Sequence, residues 1–124
     1  MAELFAAFVV TVRSTYAANG PLLEVRMILV RDVFRLKFGK ARDALATWKE
    51  LGEQAQRAGM PKPRILTDFV GPYYTLVMET SYADLGTWEK ELRTVMDDKF
   101  RAAYQKFTPL VESGYREVFT IQDI

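Results

Sequence analysis

Arg31, Arg35, Asp68, Tyr73, Thr75 and Glu79 are the side chains whose types and spacing best suit a binding site in this sequence. Cations on one segment, with carboxylates, a phenol and a hydroxyl on two others, would suit a carboxylate-bearing or polyoxygenated small molecule. Arginine would supply forked hydrogen bonds to it. The same residues would serve as ion pairs with one another or across a dimer, since structural ion-pair networks mimic sites. Asp32 falls on the apolar side of its segment. A lone buried carboxylate is costly, so it must be paired, lie at a strand bend or bulge, or hold a proton through a raised pKa. With no histidine and no cysteine among 124 residues, a Ser-His-Asp triad, a histidine-ligated haem or iron, thiolate catalysis and disulfides are excluded. No residue cluster has the spacing of a known catalytic or metal site, and no metal or cofactor is expected.

The elements that must position these side chains read clearly from Ile28 onward. Ile28, Val30, Phe34, Leu36 and Phe38 alternate with Leu29, Arg31, Val33, Arg35 and Lys37, as in a strand with unlike faces. Gly39 ends that strand. A helix follows, with Ala41, Ala44, Leu45, Trp48, Leu51, Ala55 and Ala58 on one side. Gly59 stops it, and Pro61 and Pro63 prevent resumption. Arg64–Val70 and Tyr73–Thr80 read as a hairpin around a two-residue Gly71-Pro72 turn, which sets Val70 opposite Tyr73. Ile65, Thr67, Phe69, Tyr74, Leu76 and Met78 then form the core side, and Asp68, Tyr73, Thr75 and Glu79 fall on the other. Ser81 is the expected N-cap of the next helix, which carries Leu85, Trp88 and Leu92 on one side. Asp97-Asp98 cap a further helix whose last turn Pro109 should tighten and Gly114 should stop. Tyr115–Ile124 closes the chain as a strand. Both tryptophans, Trp48 and Trp88, read as core.

The order is therefore β-α-β-β-α-β, an α+β ferredoxin-like domain with a four-stranded antiparallel sheet. Its helices cover one face. The open face, bearing Leu66, Val70, Val77 and Val118 with the charges of the first strand, calls for a partner or a ligand. The expected division is an N-terminal extension over residues 1–26 and one domain over 27–124. Leu4 to Val12 is too short to span a bilayer, and Glu3 is the wrong charge for a secretory signal. Seventeen basic residues against sixteen acidic ones leave no field that would draw the chain to nucleic acid or a membrane. The absence of cysteine fits a cytoplasmic location.

Three stretches carry a family likeness: VFRLKFGKA, ILTDFVGPYYTLVMETSYADLGTWE and AAYQKFTPLVESGYREVF. With them the sequence resembles the NIPSNAP-like members of the dimeric α+β barrel superfamily, over Ile28 to Ile121. The family's Lys-Pro-Gly-Lys end to the first strand is here Lys37-Phe38-Gly39-Lys40. Gly71 and Tyr82 match its glycine before, and aromatic after, the third strand, while Met78 replaces a frequent histidine. The resemblance implies a homodimer whose open faces close into a dimeric α+β barrel, often around a small-molecule pocket. The missing histidine argues against haem.

Three readings follow. One is a homodimeric barrel binding a small organic molecule in its interior. Another is a cofactor-independent oxygenase or isomerase acting on an aromatic or polyketide-like substrate, with Asp68, Glu79 or Tyr73 moving protons and Arg35 steadying an enolate. The third is a structural or adaptor dimer filled by side chains.

Overall fold

Alternation in the first strand decides which way the sheet faces, and the computed structural model, which describes residues 27–124, bears that parity out. The expected extension over residues 1–26 lies outside the described residues. In β1 (Ile28–Leu36), Ile28, Val30, Phe34 and Leu36 are buried. The chain continues through α1 (Ala41–Arg57), β2 (Arg64–Thr67), β3 (Thr75–Tyr82), α2 (Leu85–Val95) and α3 (Asp98–Phe107). A single 3-10 turn (Thr108–Leu110) then leads into β4 (Val111–Thr120). The four antiparallel strands lie in the order β2-β3-β1-β4, with the helices packed on one face, as the ferredoxin-like reading requires.

Two groups of side chains fill the space beneath the helices. The larger joins Phe34, Leu36 and Leu76 of the sheet to Trp48 and Leu51 of α1 and Phe107 of α3. Phe107 meets Phe34 edge-on at 4.9 Å and Trp48 at 5.2 Å between ring centroids, favourable geometries beyond the area they bury. The smaller joins Ile28, Val30 and Tyr82 to Trp88 of α2, with Leu92 and Val118 against it. The two groups are separate, and a seam runs between them.

Several local expectations are corrected. The β2–β3 register is as expected, with Thr67 opposite Leu76, but pairing stops there. Residues 68–74 form a wide loop, not a two-residue turn, so Phe69 and Val70 are exposed. The Asp68 carboxylate accepts from Thr75 N–H at 2.8 Å, and the Thr75 hydroxyl donates to Pro72 C=O at 2.9 Å, which stabilises the wider loop. β1 ends at Leu36, held by Tyr74 C=O, and this leaves Phe38 exposed. Strand β3 runs past Ser81 to Tyr82, so the N-cap of α2 is Asp84, which accepts from Thr87 N–H at 2.7 Å. Asp97 caps α3 as expected, accepting from Phe100 N–H, and Pro109 lies in the 3-10 turn. Gly114 stops no helix. It sits inside β4 opposite Phe34, where an added Cβ would come within 3.0 Å of the Phe34 ring and of Val33 C=O.

Candidate ligand cleft between sheet and helices

Asp32 explains the seam. It lies on the helix-facing side of β1, directly opposite Arg116 of β4, and Arg116 Nε donates to its carboxylate at 2.5 Å. Both side chains are only 16% exposed, so the pair is largely desolvated. The Arg116 guanidinium also lies 5.1 Å from the Trp88 ring centroid, a cation–π contact. A buried ion pair prevents the apolar side chains on either side from merging into one core.

A cleft of about 100 Å³ opens at this seam. It is lined by Asp32 and Arg116 from the sheet, Trp48 and Gly52 from α1, Trp88 from α2 and Tyr104 from α3. The lining is mostly apolar, with polar groups few and specific, as in small-molecule sites. Burial, reinforced by the nearby Glu91 and Asp32 carboxylates, pushes the Tyr82 phenol up to about 12. Burial and Asp32 do the same for Tyr104. Both phenols therefore stay protonated through the physiological range and do not act as bases there. Burial also raises the Glu91 carboxyl, which leaves one oxygen enclosed without a hydrogen-bond partner among the described residues. Trp48 is 7% exposed, and its indole N–H likewise finds no hydrogen-bond acceptor among the described residues. Gly52 occupies the middle of α1, yet a Cβ there would meet no atom within 4 Å.

The residues singled out from sequence lie elsewhere. Arg31 and Glu79 come together on the open face, at 3.4 Å, and Arg31 also reaches Glu117 at 3.4 Å. Glu79 is further paired with Arg64. The ion-pair reading thus accounts for Arg31 and Glu79. Arg35 is exposed on the same face, opposite Thr75 and Ser113. Asp68 and Thr75 close the β2–β3 loop, and Tyr73 stands in that loop with its ring 6.2 Å from Phe38. These six residues do not converge on one point. Val118 faces the helices across from Val30, so the apolar side chains that β4 gives to the open face are Tyr115 and Phe119.

Sequence reasoning missed the cleft because Asp32 and Arg116 are 84 positions apart and only the β1–β4 register joins them. The lone carboxylate on an apolar face was the available signal, and its requirement for a partner is met. Among the described residues no cluster of carboxylates could hold a metal ion, and no helix is long and apolar enough to cross a membrane.

Comparison with known proteins places this architecture. No protein-family model and no curated protein sequence matches the chain. Solved structures do. A NIPSNAP family protein from Agrobacterium tumefaciens superposes with a TM-score of 0.71 at 19% identity, over 84% of this chain and 93% of the other. This is the NIPSNAP-like fold. An uncharacterised NIPSNAP-like domain protein from Burkholderia xenovorans gives 0.70 at 17% identity, over 80% of this chain and 88% of that one. A second NIPSNAP family protein from Agrobacterium tumefaciens, of unknown function, gives 0.69 at 17%, over 80% and 91%. At these identities the likeness fixes the NIPSNAP-like fold and leaves the chemistry to the side chains.

Proposed function

We propose that this NIPSNAP-like protein binds a small organic molecule in the cleft above the Asp32–Arg116 pair. It does so as a cytoplasmic homodimer whose protomers meet through their open sheet faces. The observation that carries the reading is the cleft at the seam, with Gly52 in its wall. Glycine in a helix interior costs ~1 kcal/mol relative to alanine, and here a methyl group would meet nothing within 4 Å. Space is kept where a larger residue would be more stable, which suits a site better than a core. The ligand belongs in this cleft and not on the open face, because Arg31, Glu79, Arg64 and Glu117 there are engaged with one another. The open face suits a second copy instead: Leu66, Tyr115 and Phe119 are exposed around that ion-pair network.

Thermal-shift screening of the wild type and Gly52→Leu against single-ring and fused-ring aromatic compounds tests the reading. The wild type should be stabilised by some compounds in proportion to their concentration. Gly52→Leu should fold at least as stably and lose that response. A panel without any saturable response in the wild type, or an unchanged response in Gly52→Leu, would contradict the cleft as the site.

A further inference from the structure

Four charged side chains form one row straight across the open face. The register sets Arg64 of β2 opposite Glu79 of β3, Glu79 opposite Arg31 of β1, and Arg31 opposite Glu117 of β4. Their signs alternate along the row and each neighbouring pair is bridged: Arg64 to Glu79, Arg31 to Glu79 at 3.4 Å, and Arg31 to Glu117 at 3.4 Å. The inner members are engaged on both sides. The outer two, Arg64 and Glu117, have one ionic partner each among the described residues, and the Arg64 side chain is 73% exposed against 11% for Glu79. Two residues along each strand, on the same face, runs an apolar row in which the register aligns Leu66, Val77, Val33 and Tyr115.

A second copy that lays the same face on this one does so about a two-fold axis in the interface, and the charges decide between two settings of that axis. With the axis along the row, across the strands, Arg64 meets the partner's Arg64 and Glu117 meets the partner's Glu117. Like charges brought face to face are strongly unfavourable. With the axis parallel to the strands, the partner's row is reversed: Arg64 meets the partner's Glu117, and Glu79 meets the partner's Arg31. The apolar row then also meets itself, Leu66 against the partner's Tyr115 and Val77 against the partner's Val33. Resting on the open face being the dimer interface, we propose that the second copy docks with the two-fold axis parallel to the strands, and that Arg64 and Glu117 select this setting. The two rows of four then close into one ring of eight alternating charges, in which each outer charge gains its second partner.

Charge reversals in the full-length chain test this. In Arg64→Glu and in Glu117→Arg, both contacts between the outer charges of the dimer become repulsive. Each variant alone should show a dimer dissociation constant raised about tenfold or more, as for a close interfacial charge pair, measured by sedimentation. An equimolar mixture of the two should recover the dimer, because every outer contact in the mixed pair again joins opposite charges. Damage within either chain is the same in the mixture and cannot produce that recovery. A cross-link leaves the charges intact and reads the setting directly. The chain has no cysteine, so Leu66→Cys and Tyr115→Cys each carry a single thiol. A bismaleimide of about 10 Å span, the distance between packed sheets, should join a Leu66→Cys chain to a Tyr115→Cys chain and leave each variant alone unlinked. Reversal variants that dimerise as tightly as the wild type, a mixture that stays dissociated, or no cross-link between the two cysteine variants overturns the charge-selected docking while leaving the dimer. A wild-type mass of one chain overturns the open-face dimer itself.

Discussion

Asp32 and Arg116 are where the energetics of single side chains are sharpest. A desolvated pair gains little over well-packed apolar residues, but removing one partner strands a charge. Asp32→Leu and Arg116→Met should each destabilise the protein by about 3–5 kcal/mol, and the double variant should recover most of that. Chemical denaturation of the three variants checks it; additive losses would show that the two groups act independently. The phenols give a second residue-scale test. Tyr82 and Tyr104 are raised from 10.0 to about 12, so between those values the unfolded chain has released protons that the folded one retains. Their contribution to stability is complete below pH 10 and is lost as pH rises through the folded value. Unfolding free energy should therefore fall with pH above 10, and phenolate absorbance should show two tyrosines titrating late. A flat profile up to pH 12 would contradict their burial.

At the scale of elements, β4 carries the most sensitive contact. Gly114 lets this strand approach Phe34 and Val33 C=O closely, and Phe34 is itself clamped by Trp48 and Phe107. Gly114→Ala should cost about 1–3 kcal/mol by overpacking, whereas Gly52→Ala in α1 should stabilise by ~1 kcal/mol; thermal unfolding of the two variants separates them. A neutral Gly114→Ala would mean that β4 can shift outward freely. Much of this layout was legible beforehand. The alternation of β1, the helical spacing of α1 and the register that places Thr67 opposite Leu76 all follow from local pattern. The strand β4 was not legible in the same way, because Tyr115, Val118 and Phe119 put apolar residues on both of its faces. Periodicity alone gave Val118 the wrong side, and with that phase lost, Arg116 could not be matched to Asp32. The reach of the Gly71-Pro72 turn was overread for a related reason: a strong turn signal fixes the register, but Asp68 and Thr75 supply competing hydrogen bonds that end pairing earlier. The cleft was hidden because Trp48 and Trp88 have the spacing of core residues, and only the tertiary arrangement shows that they flank a gap.

For the whole molecule, the exposed Leu66, Tyr115 and Phe119 on the sheet face that none of the described helices covers should bring two copies together. Light scattering at micromolar concentration should return twice the 14.2 kDa chain mass, and Tyr115→Arg with Phe119→Arg should return the monomer. A wild-type mass of one chain would remove the dimer from the proposed function without touching the cleft. The cleft itself has a direct reporter, because the chain contains only two tryptophans and both line it. The decisive measurement is a ¹⁵N-correlated NMR titration of the intact protein with the aromatic compound that raises its thermal stability most. Both indole N–H signals are expected to shift saturably with one dissociation constant, while the backbone amides of Leu66, Tyr115 and Phe119 on the open face stay in place. Stationary indole signals alongside shifting open-face amides would contradict a ligand site between the sheet and the helices.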